Sequence, residues 1–141
     1  MIILDTNVLS ELMKPLPEER VVAWVAGQPA KSLYTTSITQ AEILHGVFLL
    51  PAGRRRSAFE AAANATFLED FANRILSFGS DAASAYAHIA AQRRRDGRPI
   101  SNFDAQIAAI ARSTGAKIAT RNVTDFEGCG VDLIDPWEEG D

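Results

Sequence analysis

Three acidic residues stand at positions where α/β proteins place their chemistry. Asp5 directly follows the apolar run Met1–Leu4, and Glu42 and Asp104 lie near the starts of two later helical patterns. In open α/β sheets, ligands collect beyond the carboxyl ends of the strands. If the strands near these acids are neighbours, their carboxylates converge on one edge of the sheet.

Converging carboxylates need a means of relieving their repulsion. Two of them about 4 Å apart repel by roughly 4 kcal/mol at an effective dielectric constant near 20. They must share protons, raise their pKa values or bind a metal ion. Because the chain has no cluster of histidine or cysteine, an all-oxygen site suits Mg²⁺, or Mn²⁺ in its place, rather than Zn²⁺.

Each acid also has a purely structural explanation. Asp5, or either of the two polar residues after it, could cap a helix that begins near Val8. Thr39-x-x-Glu42 has the spacing of a capping box, as does the Ser-x-x-Gln that overlaps it, and Asp104 follows a serine at the same spacing. An acid in a first turn is also favoured by the helix dipole. Spacing alone leaves the structural and the chemical interpretations open.

Short apolar runs alternate with helical patterns along the chain, which predicts an α/β fold. The expected architecture is a three-layer α/β/α arrangement around a central, mostly parallel sheet of about five strands, similar to a Rossmann fold. The predicted strands are Met1–Leu4, Leu33–Thr35, Ile75–Phe78, Lys117–Thr120 and Asp132–Ile134. The predicted helices are Val8–Met13, Glu19–Ala26, Ile38–Leu50, Arg54–Ala72, Asp81–Arg95 and Phe103–Thr114.

The composition is that of an ordinary globular protein, with 47% hydrophobic and 23% charged residues. A length of 141 residues predicts a single domain over 1–141, with the last few residues as a tail. The lone Cys129 excludes an internal disulfide and fits a reducing cytoplasm. The first apolar run is too short and too acidic for a signal peptide or a membrane span. We therefore expect a cytoplasmic protein without membrane contact.

The distribution of charge argues against a general coat for nucleic acid. The net charge is −4 and the pI about 5.2. The arginines form two runs, Arg54–Arg56 and Arg93–Arg95, and the second is explained by the dipole at a helix end and by solvation. Arg121, beside the predicted site, is a better candidate for contact with an RNA phosphate.

Four segments, taken as a set, resemble PIN-domain toxins of the VapC and FitB branch, the toxin halves of type II toxin–antitoxin pairs. The similarity runs from Met1 to about Trp137, with the motifs in the family's order. The segments are Leu4-Asp5-Thr6-Asn7-Val8-Leu9, Ser37-Ile-Thr39-x-x-Glu42-x-x-x-Gly46, Asn-Phe-Asp104-Ala-x-Ile-Ala, and Ala119-Thr120-Arg121-Asn122-Val123-x-Asp125-Phe126.

This resemblance implies a Mg²⁺-dependent ribonuclease that hydrolyses phosphodiester bonds in an acidic pocket. The matching catalytic and metal-binding acids are Asp5, Glu42 and Asp104. A fourth acidic position of many PIN domains falls at Asn122, which is neutral, and Asp125 is the nearest available carboxylate. Thr6 and Asn7 are candidates for holding Asp5 in its rotamer.

The resemblance also implies partners. These are a cognate antitoxin that blocks the pocket, a second copy of the chain in a homodimer, and operator DNA reached only through the antitoxin. The predicted helices 38–50 and 54–72 could line the antitoxin groove. Candidate apolar anchors, which could equally fill the core, are Phe48, Leu49, Leu50 and Phe59.

Two alternatives compete with the nuclease. One is a Rossmann-like, metal-dependent phosphatase with Asp5 as a covalent nucleophile, but that family wants a second aspartate where this chain has Asn7. The other is a non-catalytic binding module in which every acid is only a helix cap. Titration with Mg²⁺ or Mn²⁺ separates the module from both enzymes.

Overall fold

A parallel five-stranded sheet forms the centre of the molecule. The computed structural model describes residues 1–139, so Gly140 and Asp141 of the predicted tail lie outside the described residues. The strands follow the order β3-β2-β1-β4-β5, and every pair is parallel. They are β1 (Ile2–Leu4), β2 (Leu33–Thr36), β3 (Ile75–Leu76), β4 (Lys117–Ala119) and β5 (Leu133–Ile134). The predicted parallel sheet of five strands is confirmed.

Six helices cover both faces of the sheet, at places close to those predicted. They are α1 (Thr6–Leu12), α2 (Glu19–Ala26), α3 (Ser37–Phe48), α4 (Arg54–Ala65), α5 (Ser80–Arg95) and α6 (Asn102–Thr114). Shorter turns occupy Ala30–Ser32, Thr66–Asp70 and Val123–Phe126. None of the helices between residues 1 and 139 is both long and apolar enough to cross a membrane.

The alternation of side chains along β1 divides the core into two layers. Ile3 packs with the apolar faces of α5 and α6, whereas Leu4 packs with residues of α1 to α4. Ile118 and Ala119 of β4 repeat the same division. Because both faces of these strands are buried, each strand reads as an uninterrupted apolar run. The three-layer α/β/α arrangement is thereby confirmed.

The prediction of one helix over Arg54–Ala72 is wrong at its C-terminal end. The α-helix ends at Ala65, and a π-helical turn follows, closed by a bond from the Phe71 amide to the Thr66 carbonyl (2.9 Å). Phe67 and Phe71 are both buried in the layer that faces α1 and α3. The wider turn allows both rings to reach this layer, and a local alanine-rich pattern does not reveal that demand.

The interpretation of Arg93 as a solvated cation at a helix end is also wrong. Its side chain is only 5% exposed. The guanidinium donates to the carbonyl oxygens of Arg98 (2.7 Å), Asp125 (2.8 Å) and Glu127 (3.0 Å). Arg93 therefore ties the end of α5 to the segment that follows β4, and that segment carries candidate site residues.

We predict that Arg93→Leu lowers the free energy of unfolding by about 2–4 kcal/mol, because three backbone carbonyls lose the donor that the buried guanidinium supplies. Arg94→Leu is the matched control, since Arg94 is exposed on the same turn of helix. Its effect should stay within about 0.5 kcal/mol. Urea denaturation of the three proteins measures both changes, and equal stability of the two variants would remove the structural role of Arg93.

Candidate active site

A cavity of about 420 Å³ opens at the carboxyl edge of the central strands. Because β1 and β4 pair in parallel with Leu4 opposite Ala119, the residues that follow each strand emerge side by side. All three acids singled out from the sequence face this cavity. The lining residues are Asp5, Thr6, Asn7, Ser10, Glu11, Lys14, Glu42, Asp104, Ile107, Arg121, Asn122 and Trp137.

Asp5 both caps helix α1 and lines the cavity. Its Oδ1 accepts from the Val8 amide (3.2 Å), so the expected cap of α1 is confirmed, yet the side chain is only 3% exposed. Its pKa is raised to about 7, chiefly by burial and to a smaller extent by the Asp104 carboxylate, although hydrogen bonds with the Thr120 side chain and the Val8 amide lower it. A cap alone does not require such burial, so the structural explanation of Asp5 is incomplete.

Of the two residues expected to hold Asp5, Asn7 does so through a hydrogen bond from its backbone to the carboxylate, whereas the side chains of Thr6 and Asn7 bind elsewhere. The Thr6 hydroxyl donates to Glu42 Oε1 (2.8 Å), and Asn7 Oδ1 accepts from the Arg121 amide (3.1 Å). The two side chains instead connect α1 to α3 and to the segment after β4. They position other residues of the cavity.

The capping boxes predicted for α3 are also wrong. The cap is Thr36, one residue before Ser37 and three before Thr39, and its hydroxyl accepts from the Thr39 amide (3.1 Å). Ser37 therefore lies inside the helix, and Glu42 lies beyond its first turn. The purely structural explanation of Glu42, as an acid in a capping box, therefore no longer applies.

Glu42 is instead held in the cavity by its contact with Thr6. The Thr6 hydroxyl also lies 3.1 Å from that of Thr39, so the carboxylate is oriented by a short polar chain between α1 and α3. Burial raises the pKa of Glu42, and the nearby Asp104 carboxylate adds to the rise. This placement leaves one carboxylate oxygen of Glu42 free of any recorded partner among the described residues.

Asp104 lies in the first turn of α6, as predicted. Ser101 is the cap, with its hydroxyl accepting from the Asp104 amide (3.2 Å). Burial raises the pKa of the Asp104 carboxyl, and the Asp125 carboxylate raises it further. The Ser101 hydroxyl and the Arg93 guanidinium act in the opposite direction. Asp104 raises the pKa of both Asp5 and Glu42, so its carboxylate interacts electrostatically with each of the other two acids.

The acidic side chains of the cavity fit a divalent cation that keeps most of its waters better than one held by many protein ligands. Within residues 1–139, no three carboxylate, imidazole or thiol side chains stand close enough to hold a metal ion together. Mg²⁺ usually retains several waters and is held by only one or two carboxylates. Asp5 and Asp104, which interact electrostatically across the cavity, supply that number of oxygen ligands.

The fourth acidic position remains neutral in the structure. Asn122 lines the cavity, whereas Asp125 does not. Asp125 lies in the turn Val123–Phe126, where its backbone carbonyl accepts from Arg93. Its carboxylate acts on the site only at a distance, by raising the pKa of Asp104.

Sequence reasoning missed an ion pair in the wall of the cavity. Lys14 Nζ lies 2.9 Å from Glu11 Oε1, and Glu11 Oε2 accepts from the Glu18 amide (2.9 Å). The hydrogen bond from Lys14 lowers the pKa of Glu11. The polar stripe of Asn7, Ser10, Glu11 and Lys14 at helical spacing could have revealed this wall.

An apolar groove adjoins the acidic cavity and shares Thr6, Ser10 and Glu42 with it. Its volume is about 260 Å³, and side chains of α1, α3 and α4 enclose it. Of the four expected anchors, Leu50 and Phe59 line this groove. Phe48 and Leu49 do not; they are 51% and 71% exposed.

We predict that Thr6→Val lowers the rate of any reaction that depends on Glu42 by roughly tenfold, which corresponds to about 1.4 kcal/mol. The substitution keeps the shape of the side chain and removes the hydroxyl that orients the carboxylate. Thr6→Ser is the control, because it restores the donor and should recover most of the rate. Equal rates for the valine and serine variants would show that the hydroxyl has no such role.

The comparisons with known proteins agree with this geometry. The family model for the PIN domain matches residues 2–127. The chain is 43% identical over 138 residues to the VapC ribonuclease Y4jK of Sinorhizobium fredii, a match that covers 98% of this chain and 99% of the relative. It is 37% identical to toxin FitB of Neisseria gonorrhoeae, over 99% and 100% of the two chains.

Solved structures lead to the same family. A chain of FitAB bound to an IR36 DNA fragment superposes with a TM-score of 0.92 at 37% identity, covering 100% of this chain and 99% of that one. A chain of FitAcB from Neisseria gonorrhoeae gives the same score and identity, over 99% and 100% of the chains. The protein therefore belongs to the PIN-domain family, in the branch that includes the VapC and FitB toxins.

Proposed function

We propose that this protein is a Mg²⁺-dependent endoribonuclease and the toxin of a type II toxin–antitoxin pair. One observation carries the proposal: acids from three separate elements line one cavity, and each has a raised pKa. The names of its full-length relatives, which include a VapC ribonuclease and a tRNA(fMet)-specific endonuclease of Shigella flexneri at 30% identity, support the reaction class.

Each acid has a distinct proposed role in hydrolysis of an RNA phosphodiester. Asp5 and Asp104 hold the cation, with Mn²⁺ as a substitute for Mg²⁺. Bound there, a divalent ion supplies a more acidic water and neutralises charge on the phosphoryl oxygens. Glu42, fixed by Thr6 at 2.8 Å, uses its second carboxylate oxygen to orient the attacking water and accept its proton.

The charge of the cavity links substrate entry to cation binding. Its lining contains four acidic and two basic side chains, and one of those bases is already paired with Glu11. Without a cation, the acidic wall repels the phosphates of an RNA strand. Arg121 is the basic residue left to attract the substrate from the far wall, beside the neutral Asn122.

The proposed partner is an antitoxin that binds across the apolar groove and covers the acidic cavity. The apolar groove and the acidic cavity share Thr6, Ser10 and Glu42. One peptide can therefore place an apolar helix face on Leu50 and Phe59 in the groove and continue into the cavity. We also propose a homodimer that reaches operator DNA only through the antitoxin, and a cytoplasmic location. The DNA-bound FitAB relative supports this assembly.

The phosphatase alternative loses its support. Its second acid would stand at Asn7, and the side-chain oxygen of Asn7 accepts a hydrogen bond from the Arg121 amide. This residue is thus committed to connecting α1 with the segment after β4. No phospho-aspartate on Asp5 should be trapped with a phosphatase substrate and fluoride.

Cleavage of RNA with and without a divalent cation tests the proposal. The purified protein should cut RNA in Mg²⁺, stop when EDTA is added, and resume when Mg²⁺ is restored in excess. Mapping the cut sites by primer extension separates specific cleavage from contaminating nuclease. Cleavage that persists unchanged in EDTA, or RNA left intact in every divalent ion, would contradict it.

A further inference from the structure

One wall of the acidic cavity carries an arginine stacked on a tryptophan. The guanidinium carbon of Arg121 lies 5.1 Å from the centroid of the Trp137 ring. Both residues line the cavity that contains the three acids. Arg121 is exposed and Trp137 is half-buried, so the outer face of the guanidinium is open to a ligand.

The backbone at both members of this pair is anchored before any ligand binds. The Arg121 amide donates to Asn7 Oδ1 (3.1 Å). The Trp137 amide donates to Asp135 Oδ1 (2.9 Å), and the Trp137 carbonyl accepts from Arg20 (3.2 Å). A ligand that stacks on this pair therefore loses no free energy to ordering the backbone at either residue.

The guanidinium of Arg121 forms no close ion pair in the part of the chain that the structure describes, although its charge helps to lower the pKa of Glu11. Lys14, in the same cavity, pairs with Glu11, and Arg98 pairs with Glu127. Arg121 instead lies over an aromatic ring, in a cavity that acids also line. A phosphate contact alone would need the charge of Arg121 but not the tryptophan beneath it.

We propose that Arg121 and Trp137 form a stacking shelf for the base of an unpaired nucleotide next to the scissile phosphate. The base lies on the outer face of the guanidinium, in a layered arrangement of base, Arg121 and Trp137. Bases within a duplex already stack on their neighbours, so this shelf selects single-stranded RNA or loops. The inference rests on the proposed ribonuclease function and adds the substrate class.

Fluorescence of Trp137 tests the stacking directly. The other tryptophan, Trp24, is 8% exposed in the core, so Trp24→Phe leaves Trp137 as the reporter. In an Asp104→Asn background, which prevents cleavage, a twelve-nucleotide single-stranded RNA should quench this fluorescence. It should also bind at least about tenfold more tightly than the same sequence as a duplex.

Substitutions in the shelf separate stacking from charge. In anisotropy measurements with labelled RNA, Arg121→Lys should weaken binding about 5–20-fold, because the planar guanidinium that stacks on the base is lost. The salt dependence of binding should not change, because lysine keeps the positive charge. Trp137→Leu should weaken binding to a similar extent, and Trp137→Phe should restore it. Thermal melts of the variants check that the fold is kept.

Three outcomes would overturn the inference while leaving the ribonuclease proposal standing, provided that the wild-type protein cleaves RNA. They are equal affinity for single strand and duplex, wild-type affinity in Arg121→Lys, and no difference between Trp137→Leu and Trp137→Phe. If no variant binds RNA and the wild-type protein does not cleave it, the proposed function fails and the inference fails with it.

Discussion

Asp104→Asn should slow RNA cleavage by about 1,000-fold or more, which corresponds to about 4 kcal/mol in activation free energy. The charge of Asp104 acts on both Asp5 and Glu42. Its loss therefore removes one of the two proposed cation ligands and the electrostatic interaction of this position with the other two acids. The fold should survive, because the Ser101 hydroxyl caps α6 through the backbone amide of Asp104, and an asparagine side-chain oxygen can still accept the hydrogen bond that Ser101 makes with the carboxylate.

Asp81→Asn is the matched control for this substitution. Asp81 is likewise an acid in the first turn of a helix, but it is exposed in α5 and lies outside the acidic cavity. Single-turnover cleavage of one labelled RNA compares the three proteins. A loss of less than about tenfold in Asp104→Asn, or an equal loss in Asp81→Asn, would contradict the assignment of Asp104.

The second large effect is on stability: Asp5→Asn should stabilise the metal-free protein at pH 8. The pKa of the native carboxyl is about 7, against an ordinary value of 3.8. Between these two pH values the native state binds the extra proton, so this stability is present below about pH 4 and is lost as the pH rises through 7. At pH 8 the lost stability approaches about 4 kcal/mol.

Asparagine removes the buried charge and keeps the structural role of Asp5. Its side-chain oxygen can accept from the Val8 amide as Asp5 Oδ1 does, and asparagine caps helices as well as aspartate does. Unfolding by urea in EDTA should therefore show a gain of about 2–4 kcal/mol at pH 8 and little gain at pH 4. Added Mg²⁺ should stabilise the wild-type protein at pH 8 but not Asp5→Asn.

A loss of stability in Asp5→Asn at pH 8 would mean that the carboxylate is already compensated in the metal-free protein. Asp81→Asn again serves as the control, because it removes an exposed charge and should change stability by less than about 0.5 kcal/mol at either pH. The pair of variants thus separates a local burial effect from a change in net charge.

The sheet and the placement of the acids follow from local sequence patterns. Continuous apolar runs such as Ile2–Leu4 mark strands buried on both faces. Parallel pairing then places the residue after β1 beside the residue after β4, which brings Asp5 next to Thr120. The order of elements predicts that Asp5, Glu42 and Asp104 share one edge of the sheet only if β1 and β4 are neighbours, and the structure pairs these two strands.

The features missed from the sequence depend on contacts between distant segments. Arg93 is buried because the carbonyls of a loop more than 30 residues away need a donor. Trp137 lines the cavity in contact with Arg121, which lies on the segment after β4. Such partners are set by tertiary packing, and neither residue has a local pattern that distinguishes it from an ordinary surface residue.

Calorimetric titration of Mn²⁺ at pH 8 into the wild-type protein and Asp104→Asn tests most directly whether Asp5 and Asp104 hold a cation. Saturable binding to the wild-type protein is expected, and it should be at least about tenfold weaker in Asp104→Asn, a difference of about 1.4 kcal/mol. Binding should also weaken at pH 6, where Asp5, with its pKa of about 7, is mostly protonated. No saturable binding, or equal affinity in both proteins, would contradict the account and favour acids that serve only as helix caps.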